Sequence, residues 1–386
     1  MPFDQPFRVL PNPRHGSPGL VVLNSAGFRR ARAEITSWPG YAPTPLPELP
    51  GVARQAGVAS VHIKDEAGRF GLGSFKALGG AYAVLGVLRA ELSRRNVAVS
   101  VSTEDLLSGR YGDAAAAVTV CCATDGNHGR SVAWGARRFG CRCVIFVHQT
   151  VSAARVDAIA AYGAEMRVVP GAYDDAVREA AGVAAQQGWV VVSDTSWPGY
   201  TETPREVMQG YRLMADEALD QIPAPPTHVL IQAGVGGVAA AVSVQMRTRL
   251  QPPPRLVVVE PDQAACLLAS AAAGQSVAVG GALDTIMAGL ACGEPSLIAW
   301  QELDRAASAF LSIPDAAAID AMRLLAGSGI VSGESGAAGL AGLLLAAADP
   351  AARAALGLDA ASRVLLFSTE GATDPALYAS LIGPVA

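Results

Sequence analysis

Short apolar runs recur along this chain at intervals that suit neither an all-helical protein nor a sandwich of hairpins. They are Ala117-Val-Thr-Val-Cys-Cys122, Cys143-Val-Ile-Phe-Val147, Glu165-Met-Arg-Val-Val169 and Trp189-Val-Val-Val-Ser193, followed by Thr227–Gln232, Arg255–Glu260 and Arg363–Ser368. Each is short and rich in aliphatic or β-branched residues, as a strand buried on both faces must be. Amphipathic stretches near 127–139, 152–162 and 173–187 lie between the first four, and Ala-rich helical segments between the later ones. A helix between successive strands is what a parallel crossover requires. The chain therefore reads as α/β. With 386 residues against roughly 150 per domain, two domains are expected, each an open, mostly parallel sheet flanked by helices. Residues 86–195 are assigned to a small, mobile domain, and 1–85 with 196–386 to a large one.

Before the alternation begins, a helix is expected at Ser25–Thr36. Prolines 43, 45, 47 and 50 exclude helix from the run that starts at Tyr41, and a short strand, Ser60–Lys64, follows. Charge narrows the partners. The net charge of −5 is interspersed with no basic run, so neither nucleic acid nor an anionic membrane is an expected partner. No cleavable apolar start and no apolar run of about 18 residues is visible, so no membrane span is expected. The six cysteines lack C-x-x-C spacing and a histidine pattern, so they are expected as buried free thiols with no metal site. A cytoplasmic location follows as the expectation.

The polar punctuation of this apolar frame carries the chemistry. In Arg69-Phe-Gly-Leu-Gly-Ser-Phe-Lys-Ala-Leu-Gly-Gly-Ala-Tyr82, a lysine opens an apolar helical pattern. Desolvation disfavours the charged amine, which makes Lys76 a candidate nucleophile for a Schiff base with an aldehyde such as pyridoxal phosphate. A lysine snorkelling from a half-buried helix gives the same pattern. After the run ending at Gln232, Ala233-Gly-Val-Gly-Gly-Val-Ala-Ala240 can turn several backbone amides toward one anion at a helix start, or merely let helix and strand pack closely. Ala123-Thr-Asp-Gly-Asn-His-Gly-Arg130 offers a carboxylate nest and an amide, or simply a helix capped by Thr124 or Asp125. Asp194-Thr-Ser-Trp-Pro-Gly-Tyr200 and Ser368-Thr-Glu-Gly-Ala-Thr-Asp374 are further polar strand ends. Ligands in open α/β sheets sit beyond the carboxyl ends of strands, so these loops are expected to converge.

Ser74-Phe-Lys76 with its glycine pair, Gly126-Asn-His128 and the Gly234–Gly237 loop resemble the tryptophan-synthase-β-like, or fold type II, pyridoxal-phosphate enzymes. Longer motifs are similar to the diaminopropionate ammonia-lyase family within them: the 123–130 and 194–200 loops, Met208-Gln-Gly-Tyr211, Ile286-Met-Ala-Gly-Leu-Ala-Cys-Gly-Glu-Pro295, Gly333-Glu-Ser-Gly336 and Ser368-Thr-Glu-Gly371. The resemblance implies a homodimer that converts the small amino acid 2,3-diaminopropionate to pyruvate and two ammonia. It implies that Lys76 holds pyridoxal 5'-phosphate beside Phe75. Asn127 faces the ring hydroxyl, the amides of Gly234, Val235, Gly236 and Gly237 the phosphate, and Ser368 the pyridine nitrogen. Lys76 serves as base for the L-isomer and Asp125 for the D-isomer. Asp194 is a second acid near the leaving amine or a turn cap, and Ser74, Thr124, His128 and Tyr200 are candidates for substrate contact. Ser131 departs from the glycine that the family tends to carry. A threonine or serine dehydratase, a β-replacement enzyme and an inactive binding or regulatory relative share parts of this pattern; Asp125 is the residue that the dehydratases do not need.

Overall fold

The computed structural model describes residues 3–124, 126–171 and 173–383. Among them are ten strands: β1 (Arg8–Pro11), β2 (Ser60–Asp65), β3 (Thr119–Ala123), β4 (Arg142–His148), β5 (Glu165–Val169), β6 (Val190–Val191), β7 (His228–Gln232), β8 (Arg255–Pro261), β9 (Ala307–Ile313) and β10 (Arg363–Ser368). They form a six-stranded sheet, β1-β9-β8-β7-β10-β2, and a four-stranded sheet, β5-β4-β3-β6. Strand pairing within both sheets is parallel except at the β1–β9 edge. The chain is α/β with two mostly parallel sheets flanked by helices.

Departures from the sequence reading have local causes. The run Trp189–Ser193 shortens to Val190–Val191 because the chain leaves the sheet early: the Ser193 amide donates to the Tyr200 hydroxyl at 3.0 Å. Strand β9 was not expected. Helix Leu297–Ala306 runs straight into it with no glycine or proline between them, and the backbone changes only at Ala307, which is extended. The proline segment lies along β2, where carbonyls of Pro45 and Pro47 accept from Asp65 (2.9 Å) and Ile63 (3.0 Å). A sheet edge tolerates proline because only acceptors are needed there.

The helix that Lys76 opens, Ala77–Arg94, lies against helices Asn127–Phe139 and Glu202–Gln221, and its first turn admits both neighbours only because it carries glycines. A Cβ on Gly79 would stand 2.4 Å from a Tyr211 ring carbon, and one on Gly80 1.9 Å from Ser131 Oγ. Ser131 donates to the His128 carbonyl at 2.7 Å, so the serine that departs from the family pattern is accommodated by Gly80. Gly80→Ala should therefore overpack this contact, at a cost of about 1–3 kcal/mol, of which a helix-propensity gain of about 1 kcal/mol offsets only part. Adding Ser131→Gly should recover most of the lost melting temperature.

Glu260, fully buried at the end of β8, accepts from the Leu267 and Leu268 amides at 2.7 and 2.8 Å. Burial pushes its carboxyl up to about 8, against the opposing effect of those two hydrogen bonds. The folded state thus holds this proton more tightly than the unfolded chain. Its contribution to stability is complete below about pH 4.5 and is lost as pH rises through about 8. Urea unfolding should show a falling slope across that window that Glu260→Gln flattens. Among the described residues no single helix is long and apolar enough to cross a membrane.

Candidate active site

A cavity of about 800 Å³ lies between the sheets, lined by the loops that follow β3, β6, β7 and β10. These are the carboxyl ends of parallel strands, where such sheets bind ligands. The lysine loop enters from β2. Phe70, Gly71 and Gly73 all have left-handed backbones, with φ of 50°, 71° and 75°. The bends bring the Phe75 amide to the Thr369 carbonyl at 3.1 Å and the Gly371 amide to the Gly73 carbonyl at 2.9 Å. Lys76 is thereby delivered to the cavity at the head of its helix. Its Nζ donates to Asp194 Oδ2 and lies 5.4 Å from the Phe75 ring centroid and 5.7 Å from that of Tyr211.

Asp194 gives this pair its electrostatics. Burial alone would raise its carboxyl, but the neighbouring His128 and Lys76 outweigh it and hold the group well below the usual carboxylate range. The His128 ring is oriented from behind: Nε2 donates to the Val192 carbonyl at 2.8 Å, which turns Nδ1 toward Asp194 Oδ2 at 3.7 Å. A fixed negative charge therefore stands beside the amine, ready to hold a cation.

Across the cavity, helix Gly237–Arg249 begins at Gly236 (φ 97°) without a side-chain cap. A Cβ on Gly234 would stand 2.9 Å from Cys292 Sγ, and one on Gly236 3.1–3.3 Å from Leu303, Ala299 and Leu267. The turn is closed to side chains and open to an anion at the helix start. An amine on one wall and an uncapped, glycine-lined helix start on the other fit a phosphorylated aldehyde.

Phe75, Lys76, Thr124, Asn127, His128, Asp194, Gly234, Val235, Gly236 and Gly237 all line the cavity, as the sequence reading has them converge. Asp125 lies outside the described residues. Thr124 caps the helix start, though not from the N-cap position: helix Asn127–Phe139 starts from Gly126, and the Thr124 hydroxyl accepts from the Gly126 amide at 3.0 Å and from the first-turn Gly129 amide at 3.1 Å. Three expected residues stand outside the lining. Ser74 pairs with the backbone of Glu370. The Tyr200 hydroxyl donates to the Val191 carbonyl at 2.9 Å, with the ring stacked on Trp197. Ser368 is fully buried and donates to Ser332 Oγ at 2.8 Å. Its neighbour Thr369 lines the cavity instead and accepts from Gln232 at 2.8 Å. Tyr173, Gln232, Ser335 and Glu370 also line the site without having been singled out. For Glu370 the signal was present, since it lies two residues beyond β10.

A family model described as pyridoxal-phosphate dependent enzyme matches residues 37–370. The chain belongs to the pyridoxal-phosphate dependent enzymes. Diaminopropionate ammonia-lyase of Escherichia coli is 42% identical to it over 356 residues, 89% of this chain and 88% of that protein. The holo crystal structure of the Escherichia coli enzyme aligns with a TM-score of 0.89 at 37% identity, covering 99% of this chain and 98% of the other. The same enzyme in complex with an aminoacrylate-PLP azomethine reaction intermediate aligns with a TM-score of 0.88, at the same identity and coverage.

Proposed function

We propose that this chain is an ammonia-lyase that eliminates both nitrogens of 2,3-diaminopropionate, as D- or L-isomer or both, giving pyruvate and two ammonia. The observation that carries the reading is the Lys76–Asp194 pair, an amine and a carboxylate held well below its usual range, both facing one cavity. Pyridoxal phosphate, when bound, supplies the electron sink for charge left at the substrate α-carbon.

This chain's residues do the rest. The amides of the 234–237 turn would hold the phosphate, and Asn127 would bind the ring hydroxyl. Lys76 would hold the cofactor and would take the α-proton of the L-isomer. Asp125 is the corresponding base for the D-isomer. A substrate with two ammonium groups brings one more cation than a simple amino acid, and Asp194 is the charge that receives it. Asp194→Asn should lower kcat/KM for diaminopropionate by roughly 10²–10³-fold, measured by pyruvate release. Residues 86–195 close over the ligand and exclude water. The working state is a cytoplasmic homodimer.

Mixing the purified protein anaerobically with D- and L-diaminopropionate should release two ammonia per pyruvate. Production of 2-oxobutanoate from threonine, with no pyruvate from diaminopropionate, would assign the chain to the dehydratases instead.

A further inference from the structure

We propose that Glu370 is a positioning residue for the cofactor ring: it fixes which end of the Asn127 amide turns into the cavity. The inference rests on the reading that Asn127 faces the ring hydroxyl. It starts from a carboxyl group with two fixed obligations. Glu370 Oε1 accepts from the Ser335 backbone amide at 3.0 Å, and Oε2 accepts from Asn127 Nδ2. Ser335 in turn accepts at Oγ from the Gly289 amide at 3.1 Å. The carboxyl is tightly held: a Cβ on Gly333 would stand 3.1 Å from Glu370 Oε1, and one on Gly336 2.7 Å from the Glu370 carbonyl. Asn127 heads a helix of the four-stranded sheet, whereas Glu370 and Ser335 belong to loops around the six-stranded one. This hydrogen bond therefore spans the cavity's two walls.

Only a carboxyl group meets both obligations, because both neighbours are donors and a backbone N–H cannot turn away. The charged groups around it are Glu334 and Arg155, which pair with each other at 2.5 Å. Burial and the proximity of Glu334 raise the Glu370 carboxyl, against the opposing pull of Arg155. With Nδ2 committed to Glu370, the Asn127 amide has one orientation, and what it offers to the ring oxygen is set.

Glu370→Gln tests this without removing volume. The glutamine must turn its single carbonyl oxygen to the Ser335 amide, so its NH₂ faces Asn127 and the asparagine amide flips to present Oδ1. A hydrogen bond survives and the melting temperature should stay within a few degrees, while the atoms shown to the ring hydroxyl are exchanged. Expected are a displaced visible absorption band in the holoprotein and about tenfold weaker binding of pyridoxal phosphate to the apoprotein, the equivalent of one hydrogen bond. Asn127→Ala should displace the band too, and the double variant should add nothing to the larger single effect. An unmoved band in Glu370→Gln beside a moved one in Asn127→Ala overturns the role given to Glu370, as do independent, multiplying losses in the double variant. An unmoved band in Asn127→Ala removes the premise about the ring hydroxyl, and the proposal falls with it. If Glu370→Gln does not fold, Glu370→Asp replaces it: a shorter carboxylate can satisfy Ser335 but not reach Asn127, and an unmoved band in that variant also overturns the proposal.

Discussion

Replacing Lys76 with alanine should lower pyruvate formation from diaminopropionate by at least about four orders of magnitude and leave a protein with no visible absorption band. The loss should be this large because one side chain is asked to do three things. It faces Asp194 across a hydrogen bond, and in the proposed reaction it would also anchor the cofactor and supply the base on its side of the substrate. Lys76→Arg separates these roles, since the cation opposite Asp194 persists while the guanidinium cannot form the Schiff base or act as a base near neutral pH. If charge alone mattered, the arginine variant would keep a substantial fraction of activity; the expectation is that it falls as far as alanine. Dialysing the wild type against a carbonyl scavenger and adding pyridoxal phosphate back should remove and restore the band, which neither variant should do.

The placement of Lys76 also shows which kinds of structural information the sequence exposes. Period and punctuation were legible: helix Ser25–Thr36 and strands Glu165–Val169 and Arg363–Ser368 have the expected limits, because capping residues, glycines or charged flanks mark each end. Strand β9 was not legible, because its alanines continue the composition of the preceding helix and only its place between β8 and β1 makes it a strand. At the site, residues on glycine-marked loops were found, while those set by distant pairing were missed. Nothing local distinguishes Thr369 from Ser368 as the residue that lines the cavity. That choice is made by Ser332, which takes up the Ser368 hydroxyl from 36 positions away. Glu370 acquires its role only when Asn127 of the other sheet reaches it.

The same dependence on distant partners underlies the buried charges behind the lysine loop, and Arg69→Met should reduce stability by roughly 3–5 kcal/mol. Arg69, 1% exposed, bonds Glu66 through Nε and Nη2 at 2.8 Å, and Glu217 through Nη2 at 2.7 Å and Nη1 at 2.9 Å. Lys64 completes the group, 2.8 Å from Glu217. Two acids and two bases balance out of water, so removing one base leaves a carboxylate without a partner, and packing a methionine in its place does not compensate for that. Burial raises the Glu217 carboxyl, but Arg69 and Lys64 outweigh it and the net shift is downward. In the wild type its contribution is therefore present above about pH 4.5 and is lost as pH falls below that value. In the variant Glu217 keeps Lys64, but one buried negative charge has lost its cation; that cost exists only while the carboxylates are ionised, so the variant loses further stability as pH rises. Urea unfolding at pH 5 and pH 8 should thus show a larger deficit at pH 8. Equal deficits would mean that shape, not charge, is what Arg69 supplies. Because Arg69 immediately precedes the left-handed Phe70, the first bend of the loop that ends at Lys76, the variant should also bind pyridoxal phosphate more weakly at temperatures where it remains folded. The placement of Lys76 would then depend on an ion network outside the cavity lining.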